Sequence, residues 1–420
     1  MTLFVPALSL CALAWAPTAI GAPWLQQEPA DFRKAEALLP DVKLEDAQVP
    51  SSARRLLDLA FQAASRFPLN PHIKNRSRAQ ETVIDEYLAL DQPATALERL
   101  KSIENWRRGL SYADLAYFCA EREDREGAHG FARVASFIAD NPLEKDEQTW
   151  RGERIRARVA QTYAALGEEE RTREIEANMP AADAGALQAA KALNAKHDDF
   201  ETHLKWINGV MDSRNFDEVK AAVELCLELY TRDFDHADRR ELLEKTVLDL
   251  RVKLPRALCI DATIDFSERA LAAGDREKAL ELVLGGVEIM EAANWALEDQ
   301  VQLSAKLAQA RFCAGEPAPA LASAKKAFEA YIEGHESIQG IFRADALRPL
   351  AEAFYVMGEH DQAELVYVMA TDAGAENPNA RPRSDDLTAN CISMVQVGFE
   401  PSKELWDRLV AIQSGLAEPW

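Results

Sequence analysis

Four residues near the middle of the chain could bind a divalent cation: Asp233, Asp235, His236 and Asp238. They fall at the predicted start of a helix. A calcium loop needs a glycine at its bend and a glutamate farther along, and this segment has neither at the required spacing. Acidic side chains in the first turn of a helix interact favourably with the helix dipole, which explains the cluster without a metal. We therefore predict no metal site here.

Other candidates for chemistry are equally weak. His197, Asp198, Asp199 and His203 leave too long an interval between the two histidines, because ligands on one helix face lie three or four residues apart. The sequence contains no Gly-rich phosphate loop ending in Gly-Lys, no dinucleotide-binding glycine motif, no G-x-S-x-G elbow and no H-E-x-x-H helix. It therefore predicts a protein that is not an enzyme and that binds neither a cofactor nor a metal.

The elements that would carry any site are helices arranged in pairs. Apolar residues recur at spacings of three and four from Ser52 onwards, which indicates helices, and no alternating strand pattern stands out. Three predicted turns contain a glycine that is followed five residues later by an alanine. These glycine and alanine pairs are Gly274 and Ala279, Gly315 and Ala320, and Gly358 and Ala363. Glycine allows the left-handed conformation that ends a helix, and alanine lets two antiparallel helices approach closely.

Weaker copies of the same pattern lie upstream. Gly167 is followed by Thr172 in place of the alanine. Two further turns replace the glycine with an acidic residue but keep the alanine: Glu123 with Ala128, and Asp91 with Ala96. The pattern therefore covers most of residues 52–374 and is clearest in the last third.

This pattern resembles the tetratricopeptide repeat family, although the turns lie roughly 40 residues apart whereas the family's unit has about 34. The resemblance implies an all-α fold, a right-handed α-solenoid of antiparallel helix pairs over 52–374. A linker is expected over 23–51. The Pro- and Asn-rich segment Thr371–Asp385 is predicted to be an exposed loop, and helices within 386–420 are predicted to cap the array.

The resemblance also implies a binding surface. In the family, peptides lie in a groove lined by the first helix of each pair. The alternative is that the corresponding residues are ordinary half-exposed helix positions, which would give the same sequence pattern. Transferred to this sequence, the groove residues are Ile264, Glu268, Leu271, Gln309, Phe312, Arg348, Glu352 and Tyr355. Ile264, Ala305 and Arg348 stand where some relatives carry a lysine that clamps acidic C-termini. The expected partner is therefore a protein or peptide, but not through that clamp.

Charge narrows the choice of partner. The formal net charge is −22 at pH 7, so a phosphate backbone would be repelled and no nucleic-acid partner is predicted. The six cysteines are scattered and form no C-x-x-C pair, which predicts buried thiols and no disulfide framework. The alternative to a binding scaffold is an enzyme or metal protein whose site is not recognisable from sequence.

The first 24 residues carry no charged side chain. The apolar run ending in Ala19-Ile20-Gly21-Ala22 is typical of a signal peptide over 1–22, although its start lacks a basic residue. The prediction is an exported, periplasmic or secreted protein. The alternative is an uncleaved anchor at 1–22, which would make the protein a membrane-tethered assembly factor in the cell envelope.

Overall fold

The chain is all-α. A computed structural model describes residues 32–141, 149–177, 187, 191, 199–210, 216–250 and 254–420. These residues form helices and no strand, which confirms the predicted all-α class. The predicted signal segment lies outside the described residues. Within the described ranges, every helix is too short or too polar to cross a membrane.

The described ranges consist mainly of α-helices. They are α1 (Phe32–Glu36), α2 (Ser51–Arg66), α3 (Leu69–Ala89), α4 (Pro93–Leu100), α5 (Arg107–Glu121), α6 (Arg125–Asp140), α7 (Thr149–Ala165), α8 (Glu169–Glu176), α9 (Phe200–Val210), α10 (Phe216–Arg232), α11 (Ala237–Leu250), α12 (Arg256–Ala272), α13 (Arg276–Glu291), α14 (Leu297–Cys313), α15 (Pro317–Gly334), α16 (Gly340–Val356), α17 (His360–Ala375), α18 (Ala380–Val397) and α19 (Lys403–Ser414). A 3₁₀ turn at His335–Ser337 follows α15.

The predicted turn positions are confirmed. Gly274, Gly315 and Gly358 have φ of +86°, +102° and +83°, in the left-handed region that ends α12, α14 and α16. Asp91 and Glu123 hold the same conformation, with φ of +57° and +61°, although neither is a glycine. The chain therefore uses one turn geometry repeatedly, and at two turns a side chain other than glycine must adopt it.

The alanine positions are buried as predicted. Ala279, Ala320 and Ala363 are all fully buried. Each lies on the second helix of its pair, in α13, α15 or α17, close to the turn. Twelve residues after the first turn, Gly286 lies so close to the next helix that an added Cβ would sit 2.8 Å from Leu307 Cδ2. Small side chains thus set the separation between helices.

Neighbouring pairs pack through their first helices. In one half of the chain α3 contacts α5, which contacts α7, and in the other half α12, α14, α16 and α18 contact one another in that order. The second helices mainly pack against their own partners. This order places the first helices of each half side by side, where their exposed faces form a common surface.

Helices near the start and near the end of the described residues meet. Helix α18 packs along α2 and touches α3, and α19 touches α2 and α17. At this contact the Ser384 hydroxyl donates to the Ala63 carbonyl over 3.0 Å in a buried environment. One hydrophobic core consequently contains residues from Ala35 to Val159 and from Val301 to Leu416.

The sequence analysis was wrong about the segment Thr371–Asp385. Helix α17 continues to Ala375 and α18 begins at Ala380, so only four residues separate them. Pro382 falls in the first turn of α18, where proline is tolerated because the backbone N–H there has no partner within the helix. Burial of α18 against α2 then provides the stabilisation that its composition does not indicate.

Candidate binding clefts

The meeting of the two ends creates a cleft of about 490 Å³. We call it the α3–α18 cleft, because α3 and α18 form one wall and α14 and α16 form the other. It exists only because helices far apart in sequence are brought together. The Gln396 side chain spans this contact and donates to the Glu86 carboxylate over 2.7 Å.

Two arginines and one carboxylate lie close together on the wall that α3 and α18 form. Arg381 lies 3.7 Å from Asp385, one turn farther along α18. Burial raises the pKa of Asp385, while the positive charges of Arg381 and Arg78 oppose that rise. Within the described part of the chain, Arg78 has no hydrogen-bond partner for its guanidinium. One carboxylate therefore serves two guanidinium groups.

Thr388 lines the same wall, one turn beyond Asp385. The residue is only 5% exposed, and its hydroxyl has no hydrogen-bond partner among the described residues. A buried hydroxyl that remains unpaired costs about 1–3 kcal/mol. The cost is accounted for if a bound group uses the hydroxyl.

The opposite wall contains two residues of the predicted groove, Arg348 and Glu352. Arg348 forms ion pairs with Asp345 and, at 3.4 Å, with Asp386. Glu352 accepts a 2.6 Å hydrogen bond from the Ser393 hydroxyl, and burial raises the pKa of Glu352. These interactions fix the wall in place.

A second cleft, of about 550 Å³, lies on the other side of α3. We call it the α3–α5 cleft, since α3, α5 and α7 line it. Arg107 on α5 pairs with Glu81 on α3, and Arg158 on α7 pairs with Asp114 on α5 over 2.7 Å. Each of these two arginines is thus already matched to a carboxylate.

Asp85 is one of two carboxylates of this cleft, with Glu121, that have no ion pair in the described ranges. Burial, followed by the charges of Asp114 and Glu81, raises the pKa of Asp85 to about 8, and Arg158 only partly opposes the rise. The Asp85 side chain is still in contact with water. The surrounding cleft walls reduce its hydration without enclosing it in the core. Burial likewise raises the pKa of Glu81 to about 7. Glu81 Oε1 has no hydrogen-bond partner in the described ranges.

The two clefts adjoin along α3. Arg78, Thr82, Asp85 and Ala89 form an exposed stripe at helical spacing on this helix. Arg78 and Thr82 line the α3–α18 cleft, whereas Asp85 and Ala89 line the α3–α5 cleft. The stripe therefore separates the two clefts.

Both clefts are charge-balanced in a protein of net charge −22. The α3–α18 cleft is lined by four basic and four acidic residues: Arg78, Lys306, Arg348, Arg381, Glu86, Asp345, Glu352 and Asp385. The α3–α5 cleft also has four of each: Arg107, Arg122, Arg154, Arg158, Glu81, Asp85, Asp114 and Glu121. The excess negative charge therefore lies elsewhere, and the clefts do not repel an acidic group as the rest of the protein would.

The other predicted groove residues line neither cleft. The Tyr355 hydroxyl donates to the Gly398 carbonyl over 2.9 Å, and its ring packs against Phe399. Ile264 and Leu271 pack, partly buried, against neighbouring cores. The half-buried Gln309 and Phe312 and the exposed Glu268 complete the set. Sequence reasoning missed Arg78, Asp85 and Thr388, because no local pattern shows that α3 and α18 meet.

The residues considered for metal binding have other partners. Asp233 is paired with Arg232 at 2.7 Å and with Arg239 at 3.2 Å. No three His, Cys, Asp or Glu side chains in the described ranges are grouped as metal ligands would be. His203 is buried, and burial lowers the pKa of its imidazole, while His197 and Asp198 lie outside the described residues.

The cysteines of the described ranges are all free. Cys313 is exposed and the other four are buried, as expected for thiols that pack as small apolar side chains. No protein-family model matches this chain, and no curated protein matches it. The likeness to tetratricopeptide repeats therefore rests on the turn and alanine positions of the helix pairs.

Proposed function

We propose that this protein is a non-catalytic scaffold, a right-handed solenoid of tetratricopeptide-like helix pairs that binds a segment of another protein. The segment lies across the exposed faces of the first helices, where the two clefts adjoin. The observation that carries the proposal is the α3–α18 cleft, in which the buried Thr388 hydroxyl and the exposed Arg78 guanidinium have no hydrogen-bond partners among the described residues.

Size and chemistry support a polypeptide partner. The clefts measure about 490 and 550 Å³, a size that takes a few side chains rather than a whole domain. Their linings combine charged, hydroxyl and amide groups with apolar ones such as Ile392 and Leu110. A peptide offers the same mixture of groups. Its side chains can enter both clefts, and its backbone can form hydrogen bonds with the amide groups of the lining.

Crosslinking mass spectrometry in the native host tests this proposal. A photo-crosslinking amino acid at exposed Thr82, on the stripe of α3 between the clefts, should capture a protein partner. The same amino acid at exposed Arg133 on α6 is the control and should not capture that protein. Equal capture from both positions, or none from Thr82, would count against the proposal.

We propose further that the protein is exported after cleavage of residues 1–22. The uncharged, apolar N-terminal sequence supports this. The alternative, a tether retained in the membrane, predicts that the same residues stay attached. Intact-mass measurement of the protein from its native host distinguishes the two, because a mature chain that starts near Pro23 excludes the tether.

One observation favours a different function, acid catalysis. A carboxyl group that stays protonated near neutral pH can donate a proton, and the pKa of Asp85 is about 8. Turnover in a broad hydrolase screen that Asp85→Asn abolishes would support an enzyme and overturn the scaffold proposal.

A further inference from the structure

Two oppositely charged side chains on α3, one in each cleft, have no ion pair among the described residues. In the α3–α18 cleft, Arg78 and Arg381 share Asp385 as their nearby carboxylate. In the α3–α5 cleft, Arg107 and Arg158 are each engaged by a carboxylate, while Asp85, Glu121 and Arg154 have no ion pair in the described ranges. Each cleft as a whole is charge-balanced, but Arg78 and Asp85 face it from α3 without an ion-pair partner of opposite charge among those residues.

Within the described part of the chain, each side also contains a buried polar atom without a hydrogen bond. Thr388, 5% exposed, has a free hydroxyl in the α3–α18 cleft. Glu81, 8% exposed, has a free Oε1 in the α3–α5 cleft, although its other oxygen pairs with Arg107. A hydroxyl beside guanidinium groups suits an anion, and a carboxylate oxygen beside Asp85 suits a cation or another N–H donor.

The other charged groups of the clefts do not pair with Arg78 or Asp85 in the described ranges. Arg154 lies near enough to Glu81 to lower its pKa, and Arg122 is 2.9 Å from Asp91 in the turn after α3. On the opposite wall of the α3–α18 cleft, Lys306 is held by Asp261 at 2.9 Å. None of these is in hydrogen-bonding contact with Asp85 or Arg78 in the described ranges.

The spacing of the two sites follows from helix geometry. Arg78 and Asp85 are seven residues apart on α3, which corresponds to about 10 Å along the helix axis. In an extended polyproline II segment, residues three apart lie on the same face and about 9 Å apart. An acidic and a basic side chain with two residues between them would therefore reach both sites.

We propose that the clefts together recognise a dipolar segment, in which an acidic side chain binds at Arg78, Arg381 and Thr388 and a basic side chain about 10 Å away binds at Asp85 and Glu81. The inference rests on the proposed scaffold function and specifies the chemistry of its partner. Charge balance in the clefts makes such a segment a better fit than a uniformly acidic or basic one.

Fluorescence anisotropy with four labelled peptides tests the inference. Each has blocked termini and a Pro-Pro spacer that favours polyproline II: Glu-Pro-Pro-Lys, Lys-Pro-Pro-Glu, Glu-Pro-Pro-Glu and Lys-Pro-Pro-Lys, flanked by glycine and serine. One of the two dipolar peptides should bind about fivefold or more tightly than either like-charged peptide. The chain direction of the preferred peptide gives the direction of the natural segment.

Charge reversal supplies a second readout. Arg78→Glu should weaken binding of the dipolar peptide and strengthen binding of Lys-Pro-Pro-Lys. Asp85→Lys should shift the preference to Glu-Pro-Pro-Glu. Both residues are exposed, so folding should be retained, and circular dichroism checks this. Arg133→Glu on α6 and Glu277→Lys on α13, both exposed and outside the clefts, should change nothing.

The possible outcomes separate this inference from the scaffold proposal. Binding without preference among the four peptides, or variants that do not exchange preferences, would overturn the dipolar inference while capture of a partner at Thr82 could still support the scaffold. Absence of both peptide binding and capture would overturn both. Preference for a dipolar peptide with exchange in both variants supports both.

Discussion

At the scale of single residues, Thr388 and Asp85 are the groups whose local environments are least favourable. Thr388 buries a hydroxyl that has no partner among the described residues, and burial, followed by the charges of Asp114 and Glu81, raises the pKa of Asp85 to about 8. Such costs are typical of binding sites, where the missing partner arrives with the ligand. Both residues therefore allow a test in which stability and binding change in opposite directions.

Replacing Thr388 with valine should stabilise the free protein by about 1 kcal/mol, because it removes an unpaired buried hydroxyl at nearly constant shape. The same change should weaken binding of the dipolar peptide, since it removes a hydrogen-bond donor from the site that binds the acidic side chain. Urea unfolding and anisotropy measure the two effects. Thr95→Val is the matched control and should destabilise, because the Thr95 hydroxyl donates to Asp46 over 2.6 Å. A destabilised Thr388→Val protein would contradict the prediction.

Binding of the basic side chain should strengthen as pH rises from about 6 to about 8. Below its pKa of about 8 Asp85 is protonated, so a bound cation must displace a proton, and affinity increases until ionisation is complete. The groups facing Asp85 are Glu81 and Glu86 on its own helix, Asp114 on α5 and Arg158 on α7. Anisotropy titrations across this range measure the effect, and Asp85→Asn should flatten the profile.

At the scale of elements, the repeated unit is a helix pair closed by a left-handed turn residue. Four pairs use glycine at this position, at Gly167, Gly274, Gly315 and Gly358, whereas Asp91 and Glu123 adopt the conformation despite their side chains. A non-glycine residue in this region costs roughly 1 kcal/mol or more. The pairs are therefore not equally well optimised.

Glu123→Gly should stabilise the protein by about 0.5–1 kcal/mol, since the strain it relieves exceeds the extra freedom that glycine gives the unfolded chain. Gly358→Ala should have the opposite effect by about 1 kcal/mol, and only through the backbone, because an added Cβ there has open space around it. Chemical denaturation of both variants measures the difference. Equal stability of the two would show that the turn conformation does not limit these pairs.

At the scale of the whole molecule, contact between the first and last helices distinguishes this chain from an array with free ends. Helix α18 packs on α2, and the Trp420 ring lies 5.1 Å from the Phe67 ring. In an open array, removing a terminal pair affects mainly its neighbour. Here the same deletion removes a wall of the α3–α18 cleft and uncovers a face of α2.

Ending the chain after Pro378 should therefore destabilise α2 as well as the nearby C-terminal helices. Hydrogen exchange should rise in α2, because its contact with α18 is lost, and stay unchanged in α12, which lies farther away. Exchange mass spectrometry of the full and shortened chains compares the two regions. Unchanged protection of α2 would show that the contact contributes little to stability.

The many carboxyl groups of raised pKa predict how stability depends on pH. Burial raises the pKa of Glu81 to about 7 and of Asp386 to about 6, both above the values expected in the unfolded chain. The folded protein therefore binds more protons than the unfolded chain between about pH 4 and 8, so its stability is greatest at the acidic end and falls as pH rises through this window.

Thermal unfolding should accordingly show a higher Tm at pH 5 than at pH 8. For Glu81 alone the shift corresponds to about 3 kcal/mol. Glu81→Gln should reduce the difference between the two pH values, because the amide cannot ionise. A Tm that rises from pH 5 to pH 8 would contradict the prediction.

The sequence by itself determined the local elements. Apolar spacing specified helices, and the glycine and alanine positions specified turns and close contacts, because both depend on residues only a few positions apart. Asp91 and Glu123 were placed at turns in this way although neither is a glycine. All eight predicted groove residues lie on first helices, but only Arg348 and Glu352 line a cleft, because the position of the clefts depends on which helices meet.

Only the tertiary structure decided where the clefts are. Arg78 and Thr388 are about 300 residues apart in sequence, and nothing in either segment shows that the chain returns to its start. That return depends on the summed packing of many helix pairs, one contact after another. The sequence encodes each step locally, but which faces finally meet depends on all of them together.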